Sequence, residues 1–192
     1  MSEPVSAVKN AVFSGIVRVE DCGPQGMITL RSDASNAKLK KAVKAVIGTD
    51  LPPVRGISAN GDRAIAWMSP DEWLILLPYA EARAAEAELR KALEGTHHLA
   101  ETVSDARAFF RVTGDAARVR EVLAKLVPVD LHPARFGTGE MRRTRMAQVA
   151  AAIWLESEGE ARVICFRSVG AYVFDLLSAA AANGSEVAFF DA

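Results

Sequence analysis

The chain has 192 residues, half of them hydrophobic and 24% charged, a length that sets one large domain or two closely joined small ones and excludes a long multidomain enzyme. At that size about 70% of the unfolded surface is buried on folding, so a core can form and disorder is not expected. The 23 Lys and Arg against 24 Asp and Glu leave a net charge of -1, which removes the bulk attraction that nucleic-acid and anionic-membrane binders use; neither partner is expected.

Met1 to Val12 is small and polar, a loose N-terminal segment (1–12) ordered only where something else holds it. It has Glu3 before its only lysine and no continuous apolar run, so it lacks the layout of a secretion signal. The apolar stretch Met146 to Leu155 is about half the length that crosses a bilayer and is broken by Gln148. Cys22 and Cys165 stand far apart, each without a cysteine neighbour, so no disulfide framework or cysteine metal knuckle is legible. A cytoplasmic protein with reduced thiols is expected.

Gly26 to Ser32 is expected as a strand, and Ala37 to Val46 as a helix with Lys38, Lys40, Lys41 and Lys44 opposite Leu39, Val43 and Val46. Leu51-Pro52-Pro53 forbids its continuation. Ala64 to Met68 and Trp73 to Leu77 flank a turn with Pro70 at its second position, a hairpin. Ala80 to Glu94 is rich in strong helix formers and is stopped by Gly95. His98 to Val103 and Ala108 to Val112 are β-compatible, and Thr113-Gly114-Asp115 opens a helix with the stripe Ala116, Val119, Leu123 and Leu126. Glu121 one turn before Lys125 reads as an exposed pair on its outer side.

Pro128 ends that helix. After a polar stretch from Asp130 to Arg145, Met146 to Leu155 and Arg162 to Phe166 form a second hairpin across Glu156 to Glu160. Ser168 is expected to cap a helix to about Ala182 with Tyr172, Val173, Leu176, Leu177 and Ala180 inward, and Glu186 to Ala192 is a tail. Two strand-turn-strand-helix units are thus present, around 63–94 and 146–182. They imply an α+β fold of antiparallel sheet with helices packed on one face. Residues 13–192 are expected as one compact domain of two intimately packed subdomains.

His97 and His98, adjacent on a strand, point to opposite faces and cannot readily clasp one ion. Neither cysteine has the surroundings of an activated nucleophile, so inert thiols are expected. No strand-GxGxxG-helix unit or phosphate loop occurs, so no cofactor is expected in this chain. Ser104, Asp105 and Arg107 form a polar cluster that serves either anion or partner binding, or a turn held by side-chain-to-backbone bonds. Arg142, Arg143 and Arg145, near His132, Arg135 and Phe136, either receive a carboxylate, a polyglutamate tail or an acidic partner surface, or guard a solvated strand edge. Trp67 and Trp73 face each other across the first hairpin as core, or as an interface anchor where the indole is partly exposed. The candidate partner interface is Trp73, Arg107, Phe136, Arg142 and Arg143.

The string Trp67-Met-Ser-Pro-Asp-Glu-Trp-Leu-Ile-Leu76, then Val103-Ser-Asp-Ala-Arg107, Val112-Thr-Gly-Asp-Ala116, Asp130-Leu-His-Pro133 and Arg167-Ser168 before a helix with Tyr172 resemble the gamma subunit of heterotetrameric sarcosine oxidase, over roughly residues 60 to 182. The resemblance implies a fold like the paired modules of the folate-binding aminomethyltransferases, ferredoxin-like in each half. It also implies a non-catalytic role beside alpha, beta and delta subunits that carry FAD, FMN, NAD and tetrahydrofolate, in an enzyme oxidising sarcosine to glycine with peroxide formation. The alternative is a stand-alone folate-binding protein of the aminomethyltransferase-like group. Its iron-sulfur-assembly members carry a Lys-Gly-Cys-aromatic-x-Gly-Gln signature, whereas Arg135-Phe-Gly-Thr-Gly-Glu140 has no cysteine.

Overall fold

The computed structural model describes residues 3–191. Met1, Ser2 and Ala192, which belong to the lead-in and tail expected above, lie outside the described residues. In chain order the elements are β1 (Val12–Ser14), β2 (Arg18–Asp21), β3 (Gly26–Ser32), α1 (Ala37–Ile47), β4 (Ile57–Asn60), β5 (Arg63–Ser69), β6 (Glu72–Leu77), α2 (Ala82–Ala92), β7 (His98–Thr102), β8 (Arg107–Thr113), α3 (Ala116–Ala124), β9 (Met141–Met146), β10 (Val149–Ser157), β11 (Glu160–Phe166) and α4 (Gly170–Ala180). The chain divides into two compact units, residues 25–104 and residues 1–24 with 105–192.

In the unit 25–104 an antiparallel sheet runs in the order β4-β5-β6-β3-β7. Strand period two sends Ile28 and Leu30 of β3, Ile65 of β5, and Trp73, Ile75 and Leu77 of β6 to one face. There they pack with Leu39, Val43, Val46 and Ile47 of α1 and with Ala82, Ala85 and Leu89 of α2. The helix α1 starts where the Asn36 side chain accepts the Lys38 N–H at 2.8 Å. It ends at Gly48, whose φ of 85° lets its N–H turn back to the Lys44 carbonyl. The outer strand β7 is closed by α2: Glu86 accepts the Thr102 N–H at 2.9 Å, and Arg90 Nε donates to the Ala100 carbonyl at 2.9 Å. Side chains thus occupy backbone groups that an edge strand would offer to a neighbour.

The second unit carries a sheet in the order β1-β2-β8-β11-β10-β9, also antiparallel throughout. Val19, Phe110, Val112, Ile153, Leu155, Val163 and Cys165 face α3 and α4, which supply Val119, Val122, Leu123, Val173 and Leu177. Asp115 caps α3 by accepting the N–H groups of Ala117 and Arg118. Residues 3–11 form no strand or helix, yet Val8 and Asn10 donate their N–H groups to Asp21, each at 3.2 Å. At Gly15 a Cβ would collide with the Ala181 carbonyl, and the next residue, Ile16, donates its N–H to that same oxygen at 2.8 Å. The chain start is thereby stitched to the end of α4.

The two units repeat one another. In each, a strand leads to a helix, an edge strand, a hairpin, a three-residue 3-10 turn and an 11-residue helix: β3-α1-β4-β5-β6-α2 in one, β8-α3-β9-β10-β11-α4 in the other. Both hairpins shift register just before the turn, between Trp67 and Ser69 and between Leu155 and Ser157. The strand flanking β3 is β7, which follows α2, whereas the strand flanking β8 is β2, which comes from the chain start. The repeat is therefore permuted.

Several expectations shift. Strands β1, β2, β4 and β9 were not expected, and Met146 closes β9 while Ala147 and Gln148 make the turn into β10. Ser168 lies in the 3-10 turn and does not cap α4. Tyr172 is 42% exposed, because the inward stripe runs through Val173, Leu177 and Ala180. Glu121 is only 3% exposed, and its pair with Lys125 sits inside rather than on an open helix face. Two backbone N–H groups of the tail, from Val187 and Ala188, reach it at 2.6 and 2.9 Å.

Candidate functional site

The structure separates the five residues proposed for a partner interface. Trp73 is 2% exposed, in the core between sheet and helices, where its indole N–H has no hydrogen-bond partner among the described residues. An exposed indole anchor is therefore replaced by a core ring, and the register places it directly opposite Trp67. Phe136 is fully buried in the other unit because its carbonyl accepts from Arg120 and its N–H returns to His132, which folds the ring into the core. The Arg142 guanidinium lies 5.3 Å above that ring and bonds Glu140 at 3.2 Å.

Arg107 and Arg143 share one face of the six-stranded sheet, the face turned away from α3 and α4. Register places Arg107 opposite Phe166. Cys165 faces Ala151 and Ala150 faces Arg145, so one row runs Arg107, Phe166, Ala150, Arg145. Three strand spacings make it about 14 Å long. Arg107 stacks 4.1 Å above Phe166, which is 48% exposed. Arg143 and Arg145 are exposed, while Arg142 and Thr144 alternate to the helix side. The missed member is Phe166; the alternation Arg162, Ile164, Phe166 in the sequence puts it on the face of Arg107.

The opposite end of the same face is internally neutralised. Arg111 bonds Glu20 at 2.6 Å and Arg162 bonds Glu160 at 2.6 Å, while Phe109 and Trp154 stack 5.9 Å apart. Arg162 also points an N–H at the Cys22 sulfur, 3.7 Å away; burial raises that thiol's pKa against the pull of Arg162 and Arg111. Burial pushes Cys165 up to about 12, with only Arg107 opposing it. At both positions burial favours the neutral thiol over the thiolate.

The other polar clusters are committed to structure. Ser104 accepts the Met27 N–H at 2.9 Å, the turn-holding alternative for that cluster. His98 Nδ1 lies 2.9 Å from the Thr96 carbonyl. A depression of about 480 Å³ beside it is lined by Arg31, Asp33, Asp71, His97 and Leu99, with Arg31 ion-paired to Asp71 at 2.6 Å. Among the described residues no three His, Cys, Asp or Glu side chains stand where they could hold a metal ion, and no helix is long and apolar enough to cross a membrane.

The model of the sarcosine oxidase, gamma subunit family matches residues 31–183. The chain belongs to that family. Curated relatives named sarcosine oxidase subunit gamma are 34% identical in an Arthrobacter species and 33% identical in Corynebacterium sp. strain P-1, each over 119 residues, 61% of this chain and 57% of the relative. The chain thus matches little more than half the length of these gamma subunits. A solved heterotetrameric sarcosine oxidase from Corynebacterium sp. U-96, in complex with pyrrole 2-carboxylate, superposes with a TM-score of 0.78 and 25% identity over 88% of this chain and 86% of that one. Aminomethyltransferase T of the glycine cleavage system from Bartonella henselae, 13% identical, aligns over 80% of this chain and 43% of its own with a TM-score of 0.58, a likeness of fold alone. The gamma-family fold is α+β and aminomethyltransferase-like.

Proposed function

We propose that this chain is the non-catalytic gamma subunit of a cytoplasmic heterotetrameric sarcosine oxidase. The observation that carries the reading is the superposition on a solved heterotetrameric enzyme across 88% of the chain, joined to the family match over residues 31–183. In this reading the assembly oxidatively demethylates sarcosine to glycine, with tetrahydrofolate accepting the one-carbon unit and hydrogen peroxide formed. Removing two electrons from a secondary amine needs an acceptor. FAD, FMN and NAD, with the folate site, then belong to the alpha, beta and delta partners. This chain contributes shape and a positively charged sheet end, where Arg107 and Arg143 meet those partners from one face and Arg142, held over the ring of Phe136, from the other.

Arginine and aromatic rings are the groups that carry most binding energy at protein interfaces, and Arg107 stacked on exposed Phe166 supplies both at one spot. The test is expression of the chain alone and together with flavin-bearing partner chains. The isolated chain is expected to be colourless, inactive toward sarcosine and silent in a tetrahydrofolate titration, and to co-purify with the flavin chains when they are present. An isolated chain that carries flavin and consumes oxygen with sarcosine overturns the proposal. Heat from tetrahydrofolate binding to the lone chain points instead to a folate-binding protein.

A further inference from the structure

Helix α1 presents one sign of charge on its outer side. Its exposed residues are Ala37, Lys38, Lys40, Lys41, Lys44 and Ala45, and residues 36–49 hold four lysines with no aspartate or glutamate. The spacing brings like charges together: Lys38 with Lys41 and Lys41 with Lys44 are three apart, and Lys40 with Lys44 four apart, positions that are neighbours on a helix surface. Lys38, Lys40 and Lys41 also lie in the first half of the helix, whose first turn has no acidic residue, so they meet the positive end of the backbone dipole. The charges weaken the helix that carries them.

Two of these lysines are bonded within the fold. Lys38 donates to the Glu94 carbonyl, and Lys44 pairs with Asp50 at 3.1 Å. Lys40 and Lys41 make no hydrogen bond or ion pair among the described residues. Asp33, within electrostatic reach of Lys40, is bonded instead to Ser35 at 2.8 Å. At the equivalent place in the other unit, Arg118 of α3 bonds Glu121 and Asp191, and Arg120 bonds Glu158. The charges of α3 hold its unit together, whereas Lys40 and Lys41 hold nothing in theirs.

The composition of this face selects its occupant. A second copy meeting it through α1 would set lysine against lysine. Its exposed residues include no aromatic or arginine side chain to stack on a base, and no large apolar one to enter a membrane. An acidic surface of a folded protein needs neither, since ammonium groups on flexible stems reach separate carboxylates. We infer that the lysine face of α1 docks against an acidic surface of a partner chain, with Lys40 and Lys41 steering and orienting the approach. This rests on the subunit reading above and adds to it a contact carried by residues 25–104.

The test mixes the full chain with the flavin-bearing partner chains and follows their association. Lys40→Glu with Lys41→Glu is expected to slow association about tenfold or more at low salt, by a factor that shrinks as salt rises, and Lys40→Gln with Lys41→Gln by a smaller factor. The same reversal should raise the melting temperature of the chain by about 2–4 °C. It turns the repulsion between positions 40 and 44 into a glutamate-to-lysine pair and brings anions toward the helix start. Side chains kept for stability would move both readouts the same way; here they move oppositely, and the raised melting temperature shows that the variant folds. Association indifferent to the reversal, or a melting temperature that fails to rise, overturns the inference. An equal loss from Arg83→Glu with Lys91→Glu on α2, the same change in net charge, also overturns it, because the effect then belongs to the whole molecule. So does lysine-dependent binding of duplex DNA or phosphatidylserine vesicles by a chain whose assembly ignores the reversal. Wild type and reversed chain joining the flavin-bearing chains equally well sinks the docking face and keeps the subunit; a wild type that never joins them sinks the subunit and takes the docking face with it.

Discussion

α1 and α3 occupy the same place in the two units, yet they meet their surroundings with different chemistry. α1 buries only Leu39, Ala42, Val43, Val46 and Ile47. α3 buries Arg120 and Glu121 beside Val119, Val122 and Leu123. Arg120 donates to the carbonyls of Leu131 and Phe136 at 2.8 and 2.9 Å and bonds Glu158 at 2.6 Å. Glu121 collects the N–H groups of Val187 and Ala188, Arg118 at 2.9 Å and Lys125 at 3.1 Å. The difference follows from what each unit must hold. Residues 125–140 and the tail after α4 lie outside the sheets, so their buried backbone groups need partners that a ladder does not provide. Two side chains of one helix supply them.

The comparison breaks first at its cores. Trp73→Ala is expected to cost about 3–5 kcal/mol, a cavity effect that makes the apolar unit depend on one ring. Urea unfolding followed by amide exchange should show the loss in residues 25–104. Arg120→Ala should cost about 3 kcal/mol, because it strands two buried carbonyls. Its signature is loss of exchange protection around Leu131 and Phe136, which a purely apolar core change such as Leu39→Ala would not produce.

Glu121 sharpens the contrast through pH. Burial pushes its pKa up, but the Val187 N–H, Lys125, the Ala188 N–H and Arg118 together bring it down to about 2 from 4.5. A carboxylate depressed in the folded state stabilises fully above its unfolded value and loses that contribution as pH falls through the folded one. The advantage of wild type over Glu121→Gln should therefore hold at pH 5 and above and shrink steadily from about 4.5 toward about 2, as read in melting temperatures. The smallest effects should be equal in both units: Asn36→Ala and Asp115→Ala each remove a helix cap and are expected to cost about 1 kcal/mol in urea melts.

Period and punctuation made β3, both hairpins and the four helices legible, since each has an apolar stripe bounded by a cap, a glycine or a turn. The unexpected strands lack that stripe. β9 has arginines at three of its six positions, and β2, Arg-Val-Glu-Asp, holds one apolar residue; both acquire their structure from the neighbour they pair with. Glu121 followed by Lys125 is locally indistinguishable from a surface pair, because the groups that bury it arrive from 66 and 67 residues away. At the candidate site the sequence groups Arg107, Arg142 and Arg143 by residue type alone, and only register shows that Arg107 and Arg143 share a face with Phe166 while Arg142 does not.

The permuted repeat bears on the order in which the molecule can be made. Synthesis produces β2 before residues 25–104, but its partner β8 emerges some ninety residues later, after a whole unit has been translated, so β2 has to wait while residues 25–104 close around their own core. Arg167, just before α4, bonds the Val5 carbonyl, so moving residues 3–24 behind α4 in a rearranged gene needs a linker that runs back along that helix, and would make both halves continuous. Such a rearranged chain should reach its native state with no idle strand, and the gain in refolding rate would measure what the natural order costs.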